Sequence, residues 1–261
     1  MPPDPERLAF YLLKAISKAH RLYRLFDEGD RIAVAVSGGK DSGALLELLS
    51  RWTGLPRFEL VAVHVAASCS ACAVAVSCDA LNAWFARLGV ASAIVPLDEQ
   101  PAVDDDVRAS GGPCFHCAWR RRKAIFLAAH QLGCNKVALA HHADDVAVTT
   151  LLNLVYQGRC ETMPARLELF DGVITLIRPL YLVEERRISR FIESGILPFD
   201  PVTCAVGADG RRAYMTAVLR QLERESRQTK RSLLHAVEHG RSNPHFEAIP
   251  IEGTGRGVHR T

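Results

Sequence analysis

Arg31-Ile-Ala-Val-Ala-Val-Ser-Gly-Gly-Lys-Asp-Ser42 changes character halfway along its length. Ile32 to Val36 is a short apolar run rich in β-branched residues, the pattern of a strand buried on both faces of a parallel sheet. Ser37, Gly38 and Gly39 end the run and turn the chain. A helix follows, with Leu45, Leu46, Leu48 and Leu49 as its apolar face and Asp41 or Ser42 as its expected cap. A strand, a glycine turn and a helix N-terminus together make an anion site. Glycine lets the backbone approach a phosphate, free N–H groups point at it, and the helix dipole favours negative charge. Lys40 adds a full positive charge. The spacing is neither G-x-x-x-x-G-K-[ST] nor G-x-G-x-x-G, so the two commonest phosphate loops are excluded.

Working outward, the segments alternate between strand and helix patterns, which predicts an α/β fold: a twisted parallel sheet with helices on both faces and helical appendages at each end. Residues 6–26 read as an amphipathic helix, with Leu8, Leu12, Ala15, Ile16, Ala19, Leu22 and Phe26 on one face. Lys14, Lys18, Arg21 and Arg24 lie beside that face, which either covers the sheet or meets RNA phosphates. Phe58 to Val65 is the second strand, and its C-terminal end, Val63 to Val65 with His64, is a candidate adenine contact. Residues 79–88 and 90–97 give a helix and a third strand. The five acids between 98 and 112 form a solvated loop.

Cys114-Phe-His-Cys117 opens a helix over 115–132, followed at once by Arg120, Arg121, Arg122 and Lys123. At a helix N-terminus the dipole favours thiolate, the form that binds metal or attacks sulfur. The four basic residues span a full turn and are candidate RNA phosphate contacts. Asn135 to Ala140 is a fourth strand, ending in His141-His142-Ala143-Asp144-Asp145 on the same sheet edge as the glycine turn. Asp144 or Asp145 suits Mg²⁺, and one of them the helix N-cap. Leu167 to Ile177 around Asp171-Gly172 reads as a hairpin. A short helix over 183–194 and one basic helix over 213–238 follow. From 211 to the end, ten Lys/Arg face five Asp/Glu, an excess that either keeps this end solvated or meets RNA, and the tail from Gly240 has a disordered composition. The expected divisions are an N-terminal helix (1–28), an ATP-binding domain (29–200), a distal cysteine loop with the basic helix (201–239) and the tail (240–261).

The 261 residues are 48% hydrophobic and 23% charged, with net charge +3. This balance permits nucleic-acid binding without demanding it. No apolar stretch approaches the roughly 20 residues of a membrane span, and Asp4 and Glu6 do not suit a signal peptide. A cytoplasmic location is the expectation. Eight cysteines in such a chain favour metal or redox chemistry over a disulfide framework. Cys69, Cys72 and Cys78 read either as a three-thiolate metal site or as small apolar residues.

Ser-Gly-Gly-Lys-Asp-Ser resembles the signature of the PP-loop ATP pyrophosphatases. Taken in order with Cys114-x-x-Cys117 and its arginines, Ala140-His-His-Ala-Asp-Asp145, Arg178-Pro179-Leu180 and the late Cys204, the chain resembles the tRNA 2-thiocytidine synthetases (TtcA-like proteins). The resemblance implies that ATP adenylates the C2 oxygen of an anticodon-loop cytidine and that sulfur then displaces AMP. It implies ATP phosphates on Ser37, Gly38, Gly39, Lys40, Asp41 and Ser42, with Val63, His64 and His141 nearby. It further implies catalytic roles for Lys40, Asp144, Asp145 and Cys117, Mg²⁺ on Asp145, and a 4Fe–4S cluster on Cys114, Cys117 and Cys204. The implied partners are tRNA, a sulfur donor such as a cysteine desulfurase, and a second copy in a homodimer. Lysidine-type ligases share the His-His-x-Asp-Asp segment without needing the cysteines, so cluster content separates the two chemistries.

Overall fold

A computed structural model of the chain describes residues 4–66, 76–97, 113–202 and 210–240. Six strands form one sheet in the order β3-β2-β1-β4-β6-β5. They are β1 (Asp30–Val36), β2 (Phe58–Ala66), β3 (Ala91–Pro96), β4 (Lys136–Ala138), β5 (Arg166–Leu169) and β6 (Ile174–Ile177). All neighbours run parallel except β5, which returns antiparallel beside β6. That hairpin turns where sequence placed it, with Phe170, Asp171 and Gly172 all at positive φ.

β1 is central because its residues alternate in size. Ile32, Val34 and Val36 face one core, while Ala33 faces a second. Helices α1 (Pro5–Tyr23), α2 (Lys40–Ser50), α3 (Cys78–Arg87) and α6 (Glu185–Glu193) contribute to the first core. Helix α4 (Pro113–Gln131) covers the second face through Phe126, Ala128 and Ala129, packed with Val61, Val63 and Val137. Helices α7 (Arg211–Glu225) and α8 (Thr229–Gly240) lie against α5 (Ala143–Gln157), where Met215 and Leu219 meet Ala147, Val148 and Leu151.

From β1 the chain winds outward through β2 to β3, then crosses to β4 on the other side of β1. The order therefore reverses between β1 and β4. Ligands of open α/β sheets bind at such a point, outside the carboxyl ends of the two strands. Here those ends carry Ser37–Ser42 and His141–Asp145.

Three expectations need correction. The first helix ends at Tyr23, so Leu22 is 59% exposed and Phe26 instead packs beyond the helix on Trp52 and Phe58. The basic helix expected over 213–238 is two helices. Ser226 adopts an extended φ of −141°, and its carbonyl accepts from the Thr229 N–H. With no glycine or proline there, the break reflects tertiary packing: it lets both helices reach α5. Helix α2 starts at Lys40 with Gly39 as N-cap and no side-chain cap, so neither Asp41 nor Ser42 caps it.

Candidate active site

The turn after β1 is held open by hydroxyls. Ser42 Oγ accepts from the Ser37 N–H at 3.1 Å and donates to the Gly39 carbonyl at 3.0 Å, while Ser37 Oγ accepts from the Gly39 N–H at 3.2 Å. Gly38 sits at φ +85°, where a side chain is strained, and an added Cβ would lie 3.0 Å from Val76. With no side chain capping α2, its first-turn N–H groups are left for an anion. Lys40 stands at this mouth, bound to Asp41 and Glu185, both at 2.8 Å. Burial pulls its pKa down, but the two carboxylates outweigh that and raise it, so it stays a cation.

The segment after β4 supplies the opposite wall. His142 is the N-cap of α5, and Asp145 reaches back to accept from its N–H at 3.1 Å, half of a capping box. The cap expected of an acid thus belongs to His142, with Asp145 three residues on. The His142 ring is buried among carboxylates of both walls. Its Nε2 is 3.4 Å from Asp145 and 3.9 Å from Asp41, and its Nδ1 is 3.6 Å from Asp144. That Nδ1 has no hydrogen-bond partner among the described residues. Burial lowers the ring's pKa, and the three acids more than reverse it.

Asp144 is saturated. Its Oδ2 accepts from the Glu185 N–H at 2.8 Å and its Oδ1 holds Lys230 at 2.5 Å. Burial pushes its carboxyl up, but His142, Lys230 and the Glu185 N–H together hold it far below the ordinary carboxylate range. Asp145 Oδ1 pairs with Arg212, which is half exposed. Asp145 is held low as well: burial opposes the charge, and His142 and Arg212 restore it. His141 accepts from Arg178 Nε at 3.2 Å, and the Arg178 guanidinium also holds the Pro164 carbonyl. Burial first, then the Arg178 charge, brings His141 down to about 4, so it is neutral at physiological pH. Burial likewise lowers Arg178 to about 10, which keeps it charged.

A PP-loop domain family model matches residues 12–200. The chain is 36% identical over 241 residues to the tRNA-cytidine(32) 2-sulfurtransferase of Syntrophotalea carbinolica, covering 91% of this chain and 92% of that one. It is 37% identical over 227 residues to the protein of that name in Geobacter sulfurreducens, covering 85% and 87%. The chain belongs to the PP-loop family, in the tRNA-cytidine(32) 2-sulfurtransferase branch. Among solved structures, the U34-tRNA thiolase NcsA of Methanococcus maripaludis, described with its 4Fe–4S cluster, shares the fold. The TM-score is 0.68 at 20% identity, over 92% of this chain and 80% of that one.

The PP-loop and the His141–Asp145 segment are therefore brought together as sequence expected, but other candidates are not. Val63 is fully buried under α4, so its side chain is a core residue. His64 is buried, its Nδ1 2.8 Å from the Val36 carbonyl, tying β2 to β1; burial, then Arg121, lowers its pKa. The basic run on α4 diverges. Arg121 lies near His64 and its Nε is buried without a partner among the described residues, Arg122 lies near His141 and Arg178, and Lys123 stacks 5.5 Å over the Trp119 ring. Cys114 and Cys117 fall in the first turns of α4. Cys78 is exposed at the start of α3, and Cys69, Cys72, Cys204 and the acidic loop lie outside the described residues.

Sequence reasoning missed His142, Glu185, Arg212 and Lys230. His142 was adjacent to a recognised residue and legible in principle. Glu185, Arg212 and Lys230 reach the PP-loop site from later helices, with no local spacing to betray them. Arg178-Pro179-Leu180 was seen only as a motif; the structure explains it, because Arg178 braces His141 while Leu180 is fully buried.

Proposed function

We propose that this chain is an ATP-dependent tRNA thiolase converting an anticodon-loop cytidine to 2-thiocytidine. The observation that carries the reading is the meeting of the PP-loop with His141–Asp145 at the sheet's switch point, in a chain of the sulfurtransferase branch. The C2 oxygen of cytidine attacks the α-phosphorus of ATP and pyrophosphate leaves. A sulfide nucleophile then adds at C2, and the C–O bond breaks to release AMP with the original oxygen, leaving C2=S. Adenylation is needed because an amide-like oxygen is a poor leaving group.

In this reading the α2 N–H groups and Lys40 hold the departing pyrophosphate. Lys40 exchanges Glu185 for phosphate oxygen as ATP arrives. Neutral His141, fixed by Arg178, turns its other nitrogen towards the nucleotide. No group of three His, Cys, Asp or Glu side chains that could hold a metal occurs among the described residues. This suits Mg²⁺ bound through one carboxylate, water and phosphate oxygens. Both aspartates are engaged on both oxygens, but Asp145 is the better ligand, since its Arg212 partner is half exposed and displaceable whereas the Lys230 partner of Asp144 is largely buried.

For the cluster, Cys114 and Cys117 are three positions apart on one helical stripe, and Val202, two residues before Cys204, hydrogen-bonds the Gly38 carbonyl at 3.0 Å. The reading takes these two cysteines and Cys204, which lies outside the described residues, as the cluster's ligands. When bound there, a 4Fe–4S cluster supplies the sulfur carrier. The reading also takes in Arg120–Lys123 as RNA contacts, a sulfur donor such as a cysteine desulfurase, and a homodimer. No helix among the described residues is long and apolar enough to cross a membrane.

The test is anaerobic purification with iron, sulfide and zinc analysis of wild type, Cys117→Ala and Cys204→Ala. About four irons per chain are expected in wild type and lost in both variants, with ATP-dependent pyrophosphate release retained. Zinc without sulfide, or equal loss of pyrophosphate release and thiolation, would overturn the assignment.

A further inference from the structure

The structure assigns a second anion site, beside the PP-loop and made by different residues. We propose that the cleft between α6, α7 and α8 binds phosphodiester groups of the RNA substrate; this rests on the tRNA reading above and deepens it.

The cleft is a cavity of about 490 Å³ lined by the acids Asp144, Glu185 and Glu223 and by Arg186, Arg220, Arg227 and Lys230. Each of its carboxylates contacts a cation, although Lys230 and Lys40 are each shared between two acids. Lys230 takes Asp144 at 2.5 Å and Glu223 at 2.8 Å, and Lys40 takes Glu185 at 2.8 Å. Arg186 holds Glu184 at 2.7 Å. Arg220 and Arg227 remain, two exposed guanidiniums lining the same cavity with no carboxylate partner among the described residues. Seven positions apart, they cross the break at Ser226 that sequence did not foresee. Both arginines line the same cavity on either side of that break.

Planar guanidiniums match phosphate oxygens in bidentate geometry, and two that share a cavity without a direct carboxylate contact are free to take an anion together. Inorganic pyrophosphate has the same chemistry, but its leaving position lies over the α2 N-terminus, across the Lys40–Glu185 pair from this cleft. A polynucleotide whose target base enters beside Asp145 runs its backbone past the adjacent Asp144, which lines the cleft. RNA phosphodiester is therefore the ligand we assign.

The full chain carrying Arg220→Gln with Arg227→Gln tests this. Binding to an anticodon stem-loop RNA is followed by fluorescence anisotropy as salt rises from about 50 to about 200 mM. Loss of two phosphate contacts should flatten the slope of log affinity against log salt by about 1.4 to 1.8. Pyrophosphate inhibition of the ATP reaction should be unchanged, and circular dichroism should show an unaltered fold. The lysine pair, Arg220→Lys with Arg227→Lys, should restore the slope. An unaltered slope would mean that the arginines are merely solvated. Weakened pyrophosphate inhibition with an unaltered slope would assign the cleft to the leaving group instead. Failure of wild type to bind the RNA at all would overturn the tRNA reading itself, whereas a normal wild type with an unaffected variant overturns only this cleft.

Discussion

Replacing Lys230 by Met removes one charge from the joint between the C-terminal helices and the PP-loop site while keeping most of the stem. The side chain is 12% exposed and its ammonium bonds Asp144 at 2.5 Å and Glu223 at 2.8 Å. Removing one partner of a buried ion pair costs about 3–5 kcal/mol, because the other charge is left behind. Asp144 keeps the Glu185 N–H, and Glu223, 26% exposed, can rehydrate. The cost therefore falls at or just below the lower end, about 2–3 kcal/mol, which for a chain of this size is a fall of roughly 5–10 °C in Tm. The sign with pH follows from both partners. Asp144, held below its ordinary 3.8, contributes stability that is present above that value and lost as pH falls through the native pKa. Lys230, raised above its ordinary 10.5, contributes stability that is present below that value and lost as pH rises through the native pKa. Thermal melts of wild type and Lys230→Met from acid to alkali should thus differ most between these limits, narrow as pH falls below 3.8 and converge only below the depressed native pKa of Asp144. A difference under about 1 °C near neutrality, where about 2 kcal/mol predicts several degrees, or one that persists undiminished in acid, would refute the reasoning.

Glu47 is 1% exposed within α2, and its carboxylate takes Trp84 Nε1 and Arg87 at 2.8 Å each, with Arg51 at 3.4 Å. Glu47→Gln should cost about 1 kcal/mol and Glu47→Leu about 3 kcal/mol, since the latter strands the buried indole N–H; urea midpoints with an unchanged slope check this. Gly38→Ala must hold a side chain at φ +85° and within 3.0 Å of Val76. Left-handed strain of about 1–2 kcal/mol should shift the loop and weaken ATP binding about tenfold by calorimetry, while the melting temperature falls by only a few degrees.

The chemistry-bearing segments were legible because each is local. Strand, glycine turn and helix are written within Arg31 to Leu49, and His141–Asp145 within five residues, so side-chain pattern and backbone preference agree over a short span. The Asp171-Gly172 hairpin was legible for the same reason. Glu47 was not: between Leu46 and Leu48 a lone glutamate reads as a solvated position, and only the arrival of Trp84 and Arg87 from α3 makes it a buried anchor.

By itself, then, the sequence determined the parallel sheet, the anion turn and the identity of the reacting family, because period, glycine placement and residue order are properties of neighbours along the chain. Tertiary structure alone decided which charges meet. Arg212 and Lys230 lie more than sixty positions from Asp145 and Asp144 yet neutralise them, and the break at Ser226, between Arg220 and Arg227, carries no glycine or proline. Coulombic pairing depends on distance in space, and that distance was fixed only when α7 and α8 buried Met215 and Leu219 against α5.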